Sequence, residues 1–140
     1  MRAHVLDHVA AILVTLLPLG MAACGSQSKA DACKLLEKPL KDAGLALVNS
    51  AQNGDAANIT DTYTTFATTY EEASKRITNK EIKESVDQVA AGWRAAADNS
   101  GVLKADPLSM DVQKLEEYHK IMEDLSAKQT ELFNKCGYQH

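Results

Sequence analysis

Apolar residues recur at intervals of three and four in four stretches of this chain, which is the spacing of one face of an α-helix. The second stretch, ITDTYTTFATTY at 59–70, has the threonine and aromatic content that favours a strand. Its threonines at 64–65 and 68–69 come in pairs, however, which breaks the strict alternation of a half-buried strand. We therefore predict a helix, with the apolar face Ile59, Tyr63, Phe66, Tyr70, Ala73 and Ile77.

The other three stretches have apolar faces of the same kind. They are Cys33, Leu36, Leu40, Ala43 and Leu47; Ile82, Val86, Val89, Trp93 and Ala96; and Leu115, Tyr118, Met122, Leu125, Gln129, Leu132 and Cys136. Pro39 interrupts the first of these, because proline lacks the N–H of a helical hydrogen bond and its ring clashes with the preceding turn. We expect the first helix to be kinked at Pro39, or to begin afresh near Lys38.

Residues that commonly begin and end helices flank these stretches. Thr78 with Glu81 forms a possible capping box at the start of the third helix. Asp106 can cap the fourth helix, since Pro107 suits its first position. Gly137 is a natural end for the fourth helix.

Four amphipathic helices with short connections predict an all-α fold. We expect an antiparallel four-helix bundle, up-down-up-down, over residues 31–137, with a short tail at 138–140.

The first 23 residues have the three parts of a secretory signal. Arg2 places a positive charge near the start, Val9 to Leu19 is almost wholly apolar, and small residues follow. The apolar run is too short for an ordinary membrane span, which takes roughly 20 residues. We therefore expect residues 1–23 to be a cleaved signal peptide that directs export.

Met21-Ala22-Ala23-Cys24 resembles the lipobox of bacterial lipoproteins, although that motif prefers Leu where Met21 stands. The resemblance covers residues 1–24 only. It implies cleavage just before Cys24, a diacylglycerol on the Cys24 thiol, and attachment to a membrane of the bacterial cell envelope. Residues 24–30 would then be the lipidated cysteine and a flexible tether, because glycine and serine follow it. The alternative is an ordinary cleaved signal with an incidental cysteine.

Two further cysteines, Cys33 and Cys136, are predicted to form a disulfide. Export places the chain in an oxidising compartment, where an even pair favours a bridge. In an up-down-up-down bundle the start of the first helix and the end of the fourth lie together, and each cysteine lies there on an apolar face. Two buried free thiols are the alternative.

Charge excludes one class of partner and suggests another. The residues from Cys24 onward carry 14 basic and 18 acidic side chains, and this mild acidity argues against binding to nucleic acid.

The tether meets the bundle at the disulfide, so we expect the turn between the second and third helices to face the membrane. That turn carries a basic patch, which we predict to be membrane-proximal: Lys75, Arg76, Lys80 and Lys83. Ordinary solvated charge is the alternative.

The opposite end of the bundle would face outward and is the candidate recognition surface. Loops carried on rigid helices often hold function. The loop after the third helix carries the apolar Val102, Leu103 and Leu108 beside acidic residues. We predict that Val102, Leu103 and Asp106 form the recognition loop that contacts a partner.

Motifs of known catalytic or metal sites are missing from the sequence. There is no G-x-S-x-G, no H-E-x-x-H and no phosphate-binding glycine loop. Glu116 and His119 have the Glu-x-x-His spacing of di-iron bundles, but no second such motif accompanies them. We expect no enzyme activity, no metal and no cofactor.

The favoured interpretation is a lipid-anchored, non-enzymatic envelope protein that acts as a protein-interaction module. One alternative is a carrier or sensor of a small apolar ligand in the bundle core, where small residues leave room: Ala43, Ala67, Ala73, Ala90, Ala96 and Ala97. Another is a surface exclusion or immunity lipoprotein. Nothing in the residues decides among the three.

Overall fold

Four helices account for most of the computed structural model, which describes residues 25–52 and 59–138. The expected signal peptide, Cys24 and the last two residues of the tail lie outside these ranges. No strand occurs in the described residues, and none of their helices is long and apolar enough to cross a membrane. The helices are α1 Lys29–Gln52, α2 Ile59–Ser74, α3 Lys80–Asn99 and α4 Val112–Cys136, and a short 3-10 helix occupies Ser100–Lys104.

Contacts between distant parts of the chain establish the topology. At one end, the disulfide between Cys33 and Cys136 joins the start of α1 to the end of α4, with a Cα–Cα distance of 5.5 Å. At the other end, the hydroxyls of Thr60 and Ser100 lie 2.5 Å apart and join the start of α2 to the end of α3. The helices therefore run up-down-up-down, and the predicted all-α bundle with its disulfide between α1 and α4 is confirmed.

We name the two ends by their residues. The disulfide end comprises residues 25–32, 74–83 and 133–138. The distal end comprises residues 44–52, 59–62 and 95–115.

Three helix starts differ from the sequence prediction. The first helix begins at Lys29 rather than at residue 31, because Ser28 caps it: the Ser28 hydroxyl accepts a hydrogen bond from the Asp31 N–H at 3.1 Å. The cap of α3 is Asn79, not Thr78, and the Asn79 side chain accepts from the Ile82 N–H at 3.1 Å. Thr78 is hydrogen-bonded to the chain before α1 instead.

The fourth helix also begins later than in the sequence prediction, which places Pro107 at its first position. This helix begins at Val112, and its cap is Asp111, whose carboxylate accepts from the N–H of Gln113 at 3.0 Å. Asp106 forms a local turn instead, in which its carboxylate accepts from the Leu108 N–H at 2.9 Å. Gly137 ends α4 as predicted, in the left-handed conformation with φ 70°.

The first helix continues through Pro39 without interruption, so it does not begin afresh near Lys38. Its apolar face is only partly used. Cys33, Leu36 and Ala43 are buried, whereas Leu47, which the periodicity placed in the core, is 40% exposed. The reason is that α1 packs mainly on α2 and touches α4 little beyond the disulfide.

The core is built around α3, which packs extensively against both α2 and α4. Trp93 of α3 stacks on Phe66 with ring centroids 4.6 Å apart, and the tilted ring of Tyr63 lies 5.3 Å from it. Gly92 allows α4 to approach closely, because a Cβ at this position would lie 2.9 Å from Leu125 Cδ1.

Loss of the disulfide should loosen α1 selectively. The bridge closes a separation of 103 residues, and in the chain-entropy model such a loop contributes about 3 to 5 kcal/mol. We expect the C33S/C136S variant to lose about that much free energy of unfolding in a denaturant titration. Hydrogen exchange should accelerate first in α1, because its other contacts are few. Uniform acceleration in all four helices would contradict this.

Alanine substitutions at two helical glycines should change the stability of the protein in opposite directions. Gly44→Ala meets nothing within 4 Å and should stabilise the protein by about 0.5 to 1 kcal/mol, because alanine loses less entropy in a helix. Gly92→Ala must displace Leu125, and overpacking of this kind costs about 1 to 3 kcal/mol. Thermal unfolding of both variants measures the difference. A Gly92→Ala variant as stable as Gly44→Ala would show that the α3–α4 contact is not close-packed.

Candidate functional site

The distal end holds all the large apolar side chains that the described part of the chain leaves exposed. Leu108 is 97% exposed, more than any of the others. The full set is Leu45, Leu47, Val48, Leu103, Leu108 and Val112. Exposed apolar side chains gathered at one end of an otherwise polar domain are typical of a protein or membrane contact site.

Local structure explains why these side chains are exposed. The described helices leave the side of α1 beyond Ala43 that carries Leu45, Leu47 and Val48 uncovered. On the connection to α4, the Asp106 turn directs the chain outward at Leu108. The Ser100 hydroxyl fixes the start of this connection by donating to the Ala97 carbonyl at 2.8 Å.

The predicted recognition loop is only partly an exposed surface. Leu103 is exposed, but Val102 is half-buried and packs against the core. Asp106 shapes the turn through its carboxylate. Leu108, which the sequence also offers as an apolar contact group of this loop, is the most exposed large apolar residue in it. Sequence reasoning missed Val112, since it placed this residue inside the fourth helix.

Acidic side chains outnumber basic ones at the distal end. Four acidic residues and two basic residues lie there among the described residues: Asp61, Asp98, Asp106, Asp111, Lys104 and Lys114. The distal end therefore carries a small excess of negative charge together with its apolar side chains, which would favour a partner that combines basic and apolar groups.

The predicted basic patch lies at the disulfide end, and half of it is neutralised within the chain. Lys75 pairs with Glu72 at 2.5 Å, and Lys83 pairs with Asp87 at 3.5 Å. Arg76 and Lys80 form no ion pair with any described residue. These two cations therefore dominate the charge that this end presents to its surroundings.

A serine, a lysine and an aspartate meet where α2 ends. The Lys83 ammonium donates to the Ser74 hydroxyl at 2.6 Å and to the Ser74 carbonyl at 3.3 Å, and the Ser74 hydroxyl donates to Asp87. Serine–lysine pairs can serve as nucleophile and base. Here the serine is 3% exposed and its proton is held by Asp87, so no substrate can reach it. The cluster instead stabilises the C-terminus of α2, where a cation is favourable.

Two hollows between neighbouring helices are large enough for a small ligand. An open groove of about 790 Å³ lies between α1 and α2, lined by residues that include Pro39, Ala43 and Thr65. A smaller hollow of about 270 Å³ lies between α3 and α4, against Trp93 and Gln129. Of the six alanines proposed to leave room for a ligand, Ala43 lines the groove and none lines the smaller hollow.

Potential metal ligands do not cluster in the described part of the chain. Within residues 25–52 and 59–138, no cluster of three or more His, Cys, Asp or Glu side chains could hold a metal ion. His119 is exposed on α4, and Glu116 beside it pairs with Lys120 at 3.5 Å.

Known proteins add no assignment to these surfaces. Comparison with protein families, with characterised proteins and with solved structures found no match for this chain. The two ends of the bundle are the candidate functional surfaces, the distal end with its apolar side chains and the disulfide end with its cations.

Three tyrosines should make the fold sensitive to alkali. Burial raises the pKa of Tyr70, Tyr118 and Tyr138 above the ordinary 10.0. The hydrogen bond with Tyr63 further raises that of Tyr118. The folded chain keeps these protons where the unfolded chain releases them, so this stability is intact below pH 10.0 and is lost as the pH rises above it.

We expect the free energy of unfolding to fall above about pH 10, because the unfolded chain then releases protons that the folded chain retains. Denaturant titrations at several pH values measure this slope. Tyr118→Phe removes one of the titrating groups and should make the slope shallower. An identical slope in the two proteins would contradict the assignment.

Proposed function

We propose that this protein is a lipid-anchored, non-enzymatic component of the bacterial cell envelope that binds another envelope protein through its distal end. Cys24 carries the anchor, and a rigid bundle holds the distal end away from the membrane. The observation that carries the proposal is the confinement of every large exposed apolar side chain of the described residues to that end.

The anchor is supported by the N-terminal sequence. An apolar segment from Val9 to Leu19 runs into Met21-Ala22-Ala23-Cys24, which resembles a lipobox. The disulfide of the bundle agrees with an exported chain, because such bridges persist in oxidising compartments. The start of α1 lies at the disulfide end, so an anchor on Cys24 would leave the distal end farthest from the membrane.

A protein partner is supported by the chemistry of the distal end. Leu103, Leu108 and Val112 lie near the start of α4, and the exposed end of α1 adds three more apolar groups. Exposed leucine in water is unfavourable by about 25 cal/mol per Å² of apolar surface, so covering this surface would drive association. The acidic side chains of the distal end would supply polar contacts beside the apolar ones, and protein interfaces commonly combine the two.

Site-specific photo-cross-linking in the producing cell tests the proposal. We expect a photoreactive residue at Leu103 to give one dominant protein adduct, which mass spectrometry would identify. The same residue at Gln88, exposed on the middle of α3, serves as the matched control and should give no such adduct. Leu108→Ser should weaken the Leu103 adduct at least several-fold without unfolding the chain, because Leu108 makes almost no internal contact.

Two further results bear on the proposal. Cys24→Ser should abolish acylation, as measured by the mass of the mature chain, and should release the protein from the membrane fraction. Equal adducts at Leu103 and Gln88, or none at Leu103 while the protein is in the membrane, would show that the distal end is not the binding surface.

A further inference from the structure

The chain before α1 is bound to the connection between α2 and α3, although the sequence predicted a flexible tether there. The Gln27 N–H donates to the Thr78 hydroxyl at 2.9 Å, and the Thr78 N–H donates to the Gln27 side-chain oxygen at 2.9 Å. The Gln27 amide nitrogen donates to the Arg76 carbonyl at 3.0 Å. The Gln27 carbonyl accepts from the Asn79 side chain at 3.1 Å.

These four hydrogen bonds use every polar group of Gln27. In a flexible tether these groups of Gln27 would be hydrogen-bonded to water, and residues 75–79 would lack these partners. The start of α3, directly after this connection, is also joined to the start of α1, because Lys29 pairs with Glu81 at 3.0 Å. The start of the chain and the connection 75–79 therefore form one rigid surface at the disulfide end.

A rigid Gln27 sets the distance between the bundle and its anchor. This step depends on the proposed function, that is, on acylation of Cys24. Three residues of extended chain span at most about 11 Å. An acylated Cys24 would therefore lie within about 11 Å of Gln27. The bundle is roughly 30 Å long, so its distal end could not replace the disulfide end at the bilayer surface.

The chemistry of the disulfide end is suited to lipid headgroups. It carries six basic and two acidic residues in the segments defined above, and Arg76 and Lys80 have no ion pair among the described residues. It exposes no large apolar side chain of the described residues. Contact with a bilayer would therefore be electrostatic and superficial, without insertion, and would need anionic lipid.

We propose that Gln27 is a positioning residue that holds the disulfide end, with Arg76 and Lys80 foremost, against an anionic bilayer surface. The short span from Cys24 fixes the distance, and the two cations fix the orientation. The bundle then stands on the membrane, and its distal end projects by about the length of α3, which is 20 residues or roughly 30 Å.

Energy transfer to the bilayer measures this orientation. The mature acylated chain is placed in vesicles containing phosphatidylglycerol, with acceptor dyes on the lipid headgroups. A donor dye is attached either at Ala30, exposed at the disulfide end, or at Leu108 at the distal end. We expect transfer from Ala30 to exceed transfer from Leu108 several-fold.

Two pairs of variants separate the contributions. Gln27→Ala removes the side-chain hydrogen bonds and should lower the Ala30-to-Leu108 ratio toward one, whereas Gln113→Ala, on the exposed start of α4, should leave it unchanged. R76E/K80E should lower the ratio as well, and vesicles of phosphatidylcholine alone should do the same. K104E/K114E changes the total charge equally at the distal end and should have no effect.

The outcomes distinguish this inference from the proposed function. If Gln27→Ala and R76E/K80E both leave the ratio unchanged while the chain is acylated, the orientation is wrong and the anchor stands. If the mass of the mature chain shows no acyl groups, both proposals fail. Thermal unfolding of each variant checks that the bundle is intact, and a lowered ratio counts in favour only when the unfolding temperature is unchanged.

Discussion

The disulfide between Cys33 and Cys136 is the constraint on which the arrangement of α1 depends. The other three helices share a continuous core around α3, in which Trp93 and Leu125 are buried. The first helix has no comparable interface, since it contacts α2 along part of its length and α4 little. A covalent bond at its first turn, with the Tyr138 hydroxyl donating to the Cys33 carbonyl at 2.5 Å, holds its start in register. Its far end has no such restraint, and its apolar side chains remain exposed there.

The number of helices and their topology could be predicted from the sequence, because apolar residues spaced by three and four identify each helix and the face that it buries. The segment 59–70 shows how strong this signal is, since its composition favours a strand and the chain is helical nevertheless. Its threonines fit a helix because hydroxyls such as that of Thr64 donate to the carbonyl four residues back, here Thr60 at 2.8 Å. Helix starts were less predictable. Asp106 and Asp111 are equally good caps in isolation, and only the packing of the connection decides that Asp111 is used.

The candidate site was harder to predict than the fold, and Leu47 shows why. Periodicity assigns a residue to the apolar side of a helix, but it does not say whether another helix covers that side at that height. Leu36 and Leu47 share one face of α1, yet the first is buried and the second is exposed. The Gln27 contact was missed for a related reason. Glycine and serine around it indicate flexibility, whereas its order depends on Thr78 and Asn79, which lie 51 and 52 residues later.

The two ends of the bundle differ in the kind of surface that they can join, and this difference gives the proposed function its direction. If the apolar surface lay at the disulfide end, the bilayer and a protein partner would compete for it, because acyl chains and leucine side chains are chemically alike. In the described chain that end is instead polar and basic, and the apolar groups lie at the distal end, about the length of α3 away. The proposed anchor and the proposed binding surface are therefore separated by the rigid part of the core. The length of α3 between them then determines how far from the membrane a partner would be met.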